Sequence, residues 1–349
     1  MPEEPLSERE HAILEAVIRT YVETAEPAGS RMVARRFPLG ISPATVRNTM
    51  SDLEEKGYLY HPHTSAGRVP TDRAYRLYVD SLMRLSPLSP RERSTIRRQL
   101  EAGGEGAAVE HVLRRAAQVL GLLTQELGIA IAPRLDEATL ERLDLAPVHE
   151  SKVLLVLTLR SAGIRTIYVD VPAAIPPATL AAVARVLNER LGGLTLREIR
   201  ATLPARLRDT AGGDAAAAEL LNVFVQGADE LFTSPQPPEG GDLHLGRASV
   251  LADQPEFASG ERLRSLIELT EQRELLKQVL GRRAEGGPHV TIGIEHGDPA
   301  LSEFTVVTSE YRSAGLRGVI GVIGPTRMPY DRVIALVEST SNLISDFLA

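Results

Sequence analysis

Residues 42–79, SPATVRNTMSDLEEKGYLYHPHTSAGRVPTDRAYRLYV, decide the fold of the N-terminal part of this chain. Ser42 is a favoured N-cap, and Pro43 suits the first helical position, where a missing N–H costs nothing. Val46, Met50 and Leu53 recur at i, i+4 and i+7 and mark one buried stripe. The opposite side carries Ala44, Thr45, Arg47, Asn48 and Ser51, which are small or hydrogen-bonding. The acids Asp52, Glu54 and Glu55 come only later, against the preference for acids at a helix N-terminus, so the segment points to an anionic partner there. Gly57 can end the helix in a left-handed cap. Tyr58, Leu59 and Tyr60 have strand propensity, Pro62, Ser65 and Gly67 are turn residues, and Arg68 and Val69 start a return strand closed by Pro70.

Working outward, two helices are expected upstream. Ser7 and Glu10 form an S-x-x-E capping box ahead of an apolar face of Ile13, Leu14, Val17, Ile18, Tyr21 and Val22. A second, short helix starts at Ser30 with Met32, Val33 and Phe37, and Gly40 lies in the turn before Ser42. Helix, helix, turn, helix and hairpin is the order of a winged helix. Arg31, Arg35, Arg36 and Arg47 lie between Arg31 and Ser51 with no acid among them, and from Ala28 to Leu85 nine basic residues face five acidic ones. A local basic patch on a chain of net charge −7 is the footprint of a specific DNA binder rather than a general nucleic-acid coat.

The candidate contacts follow from base chemistry. Arg47 can pair with guanine and Asn48 with adenine in a major groove, and Thr45 can meet a thymine methyl or a phosphate. Ser42, Ala44 and Ser51 complete the helix face. His61, His63, Thr64, Ser65 and Arg68 line the hairpin, with Arg68 the natural phosphate or minor-groove contact and Thr64 and Ser65 available to phosphates. Arg31, Arg35 and Arg36 are phosphate clamps or a solvated face, with equal claim; Arg31 is carried forward as a DNA contact. His61 and His63 as a metal pair lack a third ligand nearby, so no metal is expected.

These residues also resemble a known family. The segment EPAGSRMVARRF followed by ISPATVRNTMSDLEEKGYLYHPHTSAGRVPTDRAYRLYVD is similar to the heat-inducible transcription repressors of the HrcA family. So is VTIGIEHGDPALSEFTVVTSEYRSAGLRGVIGVIGPTRMPYDRV near the other end. PHTSAGRVPT and IGPTRMPY, in that order, are a specific pair; residues 190–250 match loosely. The resemblance implies a homodimeric bacterial repressor of chaperone operons, bound to a long inverted-repeat operator in double-stranded DNA. It also implies a partner, the GroE-type chaperonin, that maintains its activity.

At 349 residues with 43% apolar content, two or three domains with ordinary cores are expected. There is no cysteine, hence no disulfide or thiolate chemistry. No apolar run is long enough to span a bilayer, and MPEEPLSERE is acidic where a signal peptide is basic and then apolar, so no membrane partner and a cytoplasmic location are expected.

Beyond the hairpin, residues 71–85 read as a helix with Tyr75, Tyr78, Val79 and Leu82 on one side. Ser89, Pro90 and Glu92 open another with a capping box. Gly103, Gly104 and Gly106 form a kink, and Val109 to Leu127 keep helical spacing. Strands are expected near 129, from 152 and from 165, then a helix over 178–191. Later come a helix over 260–282, strands from 290, 304 and 317, and a closing helix over 330–348. The expected class is α+β: a winged-helix domain (1–86), a linker (87–106), and a sheet domain in two parts (107–191 and 256–349) interrupted by a mainly helical insertion (192–255). The resemblance implies a GAF-like fold for the sheet domain and a dimerising role for the insertion.

Other motifs are weaker. Gly315, Gly318, Gly321 and Gly324 lack the lysine of a phosphate loop and read as a strand packed closely against a helix. Arg327 of IGPTRMPY is a candidate to anchor the sheet domain to the DNA-binding domain. Glu295, His296 and Asp298 at a strand end are commonplace polar residues. Neither a nucleophile elbow, nor a dinucleotide fingerprint, nor H-E-x-x-H is present, so neither an enzyme nor a cofactor is expected. The rival reading is a winged-helix repressor controlled by a small-molecule effector bound in the GAF-like domain.

Overall fold

The computed structural model describes residues 5–64, 66–102, 109–133, 135–149, 151–160, 163–208, 215–232, 243–281, 287–313 and 316–348. It is mixed α and β, with helices and antiparallel sheets, in agreement with the α+β class. Two compact units divide the chain: one takes residues 1–131, 243–311 and 319–344, the other 132–242, 312–318 and 345–349.

The first unit opens on a head of three helices and a hairpin. α1 (Glu8–Thr24) is capped at Ser7, whose backbone N–H donates to Glu10 Oε2 at 2.7 Å while its Oγ accepts the Glu10 N–H at 3.3 Å. Ile13, Leu14, Val17 and Ile18 are fully buried, whereas Tyr21 and Val22 are half-buried. α2 (Ser30–Arg36) contributes Val33 to the same core, and α3 (Pro43–Glu55) contributes Val46, Met50 and Leu53. Each such side chain contributes about 1.5–3 kcal/mol by leaving water. β1 (Leu59–Tyr60) and β2 (Val69–Pro70) pair antiparallel, Leu59 opposite Pro70 and Tyr60 opposite Val69. Thr71 caps α4 (Asp72–Leu77), which continues as a π turn over Tyr78–Leu82. α5 (Pro90–Glu101) begins with the expected capping box, and α6 (Val109–Thr124) leads into β3 (Leu127–Ile131).

The second unit is a three-stranded antiparallel sheet, β4 (Thr139–His149), β5 (Lys152–Arg160) and β6 (Gly163–Asp170), with α7 (Pro177–Leu191), α8 (Leu196–Leu207), α9 (Ala215–Gln226) and α10 (Ala228–Phe232). Leu143, Leu155, Leu157, Leu187, Leu203 and Phe224 meet in its core. Asn188 ties α7 to β4 by accepting the Leu143 N–H at 2.8 Å and donating to the Leu143 carbonyl at 2.6 Å. Val148, Ile164 and Tyr168 stand exposed, Ile164 by 71%.

The chain re-enters the first unit at β7 (Leu243–Leu245) and continues through α11 (Ser249–Ala252), α12 (Gly260–Glu271), α13 (Arg273–Gly281), β8 (His289–Ile292), β9 (Phe304–Ser313), β10 (Leu316–Pro325) and α14 (Tyr330–Phe347). The five strands lie in the order β7-β3-β10-β9-β8. Leu127, Ile129, Phe304, Val306 and Ile323 from this sheet pack with Leu266, Leu269, Leu276 and Leu280 of α12 and α13.

Several elements differ from the sequence expectation. The compact second unit begins at Ala132, not near Gly192, and it holds a three-stranded sheet besides its helices. β7 rejoins the main sheet at Leu243, ahead of the expected return near Pro255. β4 was not foreseen, because register shifts at Leu140/Arg142 and Pro147/His149 break its period-two pattern. The helix expected over 260–282 divides at Gln272. The small residues of β10 are closely packed as expected, but against a strand and a carboxylate. A Cβ at Gly321 would overlap the Val307 carbonyl, and one at Gly324 the Glu126 side chain. Gly103, Gly104, Gly106 and Gly315 lie outside the described residues.

Candidate nucleic-acid interface

α3 is fixed at both ends and along its back. Ser42 Oγ accepts the Thr45 N–H at 3.1 Å and lies 3.0 Å from Thr45 Oγ1, so both hydroxyls are engaged at the cap. At the other end the Gly57 N–H donates to Glu54 O and the Tyr58 N–H to Leu53 O, the paired bonds of a Schellman motif. Gly57 has φ +77°, the left-handed conformation that this cap requires. With Val46, Met50 and Leu53 buried, the outward face is set: Ala44, Arg47 and Asn48 are exposed and Thr45 half-exposed. The side chains of Arg47 and Asn48 have no hydrogen-bond or ion-pair partner among the described residues, and no acid occupies the first turn. That end of the helix therefore combines orphan N–H groups, a positive dipole end and an unneutralised guanidinium, suited to an anion.

Around it the expected residues separate into two groups. Arg31 and Arg35 on α2 are exposed and without a partner among the described residues, while Arg36 is ion-paired with Glu23. His63 and Thr64 are exposed on the hairpin turn; Ser65 lies outside the described residues. Ser51 and Arg68 are instead engaged with each other: Arg68 Nη2 donates to Ser51 Oγ at 3.3 Å and sits 2.9 Å from Glu54 Oε2. The Arg68 side chain is only 11% exposed. Burial and the charge of Arg47 lower its guanidinium pKa, and Glu54 acts in the opposite sense. His61 Nδ1 donates to the other Glu54 oxygen at 2.7 Å. The backbone of Arg68 bridges to Ala28, donating at 3.0 Å and accepting at 2.8 Å, and this close approach needs Gly67, where a Cβ would overlap Pro27 and Ala28.

Of the contacts that hold the head in place, the sequence singles out Arg327 and leaves the others unmarked. Arg73 stacks over the Tyr58 ring with 4.4 Å to its centroid and donates to Lys56 O at 3.1 Å. Arg76 makes a forked pair with Glu295 and donates to Val290 O at 2.7 Å, and Asp72 accepts the Ile294 N–H at 3.1 Å. Burial would raise the Glu295 carboxyl; the Arg76 and Ile292 hydrogen bonds outweigh it and hold it below its ordinary value. Glu295 and His296 are thus structural, His296 Nε2 lying 3.2 Å from Phe304 O. Arg327 takes the anchoring role open to it: it is paired with Glu256 through two nitrogens, and Nη1 donates to Val22 O at 2.7 Å. That carbonyl belongs to the last turn of α1, where a cation also meets the negative end of the helix dipole. Tyr75 and Tyr330 pack at 5.6 Å beside it. No sequence pattern signals the links of Arg76 to Glu295, Asp72 to Ile294 and Arg327 to Val22, because these partners lie some 200 residues or more apart.

Comparison with known proteins identifies the group to which these features belong. The sequence pattern of the HrcA protein C terminal domain matches residues 110–334. The heat-inducible transcription repressor HrcA of Chlorobium phaeobacteroides (strain BS1) is 39% identical over 355 residues, covering 99% of each chain. The protein of the same description from Pelotomaculum thermopropionicum is 34% identical, covering 98% of this chain and 97% of its own. That from Roseiflexus castenholzii is 36% identical, covering 99% and 95%. A crystal structure of a hypothetical protein at 2.2 Å resolution shares the fold, with a TM-score of 0.58 at 23% identity over 98% of this chain and 97% of that one. On the family pattern and these full-length relatives, the chain belongs to the HrcA family of heat-inducible transcription repressors.

Proposed function

We propose that this repressor binds an inverted-repeat operator in double-stranded DNA as a homodimer, through a winged-helix head. α3 enters the major groove, Arg47 and Asn48 meet base edges, and Ala44 permits close approach. Thr45 and Ser42 shape the helix start, while Arg31, His63, Thr64 and Ser65 meet the flanking backbone. The observation that carries this reading is the exposed face of Ala44, Arg47 and Asn48, unpartnered among the described residues, at the acid-free start of a helix whose opposite side is locked into the head. We read the five-stranded sheet as a GAF-like domain. The dimer is assigned to the second unit, whose exposed Val148, Ile164 and Tyr168 supply apolar surface for a second copy. A GroE-type chaperonin sustains the active fraction, so chaperone supply sets repression when the native state is marginal.

The test is an anisotropy titration of the inverted repeat upstream of the chaperonin operon against a scrambled duplex, with and without chaperonin and ATP. Preference for the repeat that increases with chaperonin supports both parts. Preference indifferent to chaperonin removes only the chaperonin, and no preference sinks the proposal.

A cleft favours the second reading, control by a small effector. It has a volume of about 490 Å³ and is lined by Tyr21, Tyr60, Tyr75, Phe257, Arg262 and Arg327. The buried Tyr75 hydroxyl has no hydrogen-bond partner among the described residues. The cleft lies between the head and the sheet domain, where occupancy would bias head orientation, rather than inside the sheet domain. A metabolite screen by thermal shift tests it: a hit whose stabilisation is lost in Tyr75→Phe supports the effector, and a stabilisation that persists there places the ligand elsewhere.

A further inference from the structure

The hairpin has its own fastening, and it runs through one carboxylate. Glu54, in the last turn of α3, offers its two oxygens to two residues of the hairpin: Oε1 to His61 at 2.7 Å and Oε2 to Arg68 at 2.9 Å. These residues flank the turn, so a single side chain grips both strands. Ser51, one turn earlier on α3, takes a second bond from Arg68 at 3.3 Å. The Arg68 side chain is 11% exposed and its Nε is buried without a hydrogen-bond partner among the described residues, so its cation is turned into the protein. Two strands of two residues each, with no pairing beyond the Ala28 bridge among the described residues, are too short to hold a fixed angle by backbone pairing alone.

We propose that Glu54 is a positioning residue for DNA binding, clasping the wing to the recognition helix through His61 and Arg68, and that Arg68 acts on DNA only through the hairpin it holds. The proposal rests on the reading of α3 and the hairpin as the DNA-contacting surface. It reassigns Arg68 from phosphate contact to internal fastening and sets Ser51 beside it. The exposed turn residues His63 and Thr64 then owe their placement to a carboxylate on another element.

Two measurements on the full-length protein test it. Hydrogen exchange across residues 58–70 is compared between wild type and Glu54→Gln; the clasp requires faster exchange there with α1 unchanged, and an unchanged hairpin overturns it without reference to DNA. His61→Ala, which opens one arm only, gives an intermediate rate and serves if Glu54→Gln loosens the whole head.

Operator affinity is then followed across a salt series. Glu54→Gln and Arg68→Gln each weaken binding roughly tenfold, the scale of a charge-assisted hydrogen bond, and the double variant costs no more than either alone. The slope of log affinity on log salt stays at its wild-type value for both, whereas Arg31→Gln makes it shallower by about 0.9, as a lost phosphate contact does. A slope change of about 0.9 in Arg68→Gln, or tighter binding in Glu54→Gln, overturns the proposal, since Arg68 would then be a phosphate contact for which Glu54 competes. If wild type shows no preference for the operator, the DNA-binding reading falls and the exchange experiment alone decides the clasp.

Discussion

At the scale of single residues, the side chains of Arg47 and Asn48 have no hydrogen-bond or ion-pair partner among the described residues. Arg36 and Arg68 carry the same charge as Arg47 yet are paired with Glu23 and Glu54. Replacing Arg47 or Asn48 by alanine is therefore expected to leave the thermal melt unchanged and to cost operator binding about 1–3 kcal/mol each, the worth of a bidentate base contact. Anisotropy titration alongside circular dichroism checks both halves. Glu126 is the opposite case. It is 2% exposed, Gln254 donates to it at 3.2 Å, and burial raises its pKa well above the ordinary 4.5. A carboxyl raised in this way favours the folded state fully below its unfolded value, and that contribution declines as pH rises toward the folded value. Glu126→Gln should thus melt higher than wild type at pH 8, with the difference shrinking toward pH 5 in a differential scanning series; a constant difference would contradict the account.

At the scale of elements, much was legible because the relevant chemistry is local. The three capping boxes at Ser7, Ser89 and Thr195 obey one short rule, and the first two were read from sequence. The same holds for Ser42, Pro43 and Gly57 around α3. β5 starts where it is expected, at Lys152, because a half-buried strand alternates without interruption. β4 was missed because its bulges shift the alternation. The α1 cap carries a pH prediction. Glu10 is bound by Lys56 at 2.7 Å and by Ser7, which together hold its pKa at about 2. With a folded value below the unfolded one, this stabilisation is complete above about 4.5 and fades as pH falls toward about 2. Glu10→Gln should lose that acid dependence, so the two melting curves converge as pH falls from 5 to 2.5.

At the scale of the whole molecule, head placement depends on a few polar links within the first unit. Arg327 and Glu256 are 14% and 16% exposed, so removing one partner leaves a mostly buried charge. Arg327→Met is expected to destabilise head docking by roughly 3 kcal/mol, and Arg327→Met with Glu256→Gln by less, because the stranded charge is gone. Limited proteolysis between residues 82 and 90 reads this directly: cleavage should quicken in the single variant and partly recover in the double. Equal rates in all three proteins would mean that Arg327 does not anchor the head.

Caps, periodicity and motifs act over a few residues, so the secondary elements of the head, the outward face of α3 and the identity of the family are legible in the chain alone. Where the second unit begins, that β7 completes the five-stranded sheet, that Glu295 holds the head and which partners Arg327 takes all emerge only on folding. Folding likewise turns Arg68, the expected phosphate or minor-groove contact, onto Glu54. Each of these is a pairing between side chains or strands brought together by folding, and an arginine's sequence neighbourhood does not record which carboxylate will lie beside it.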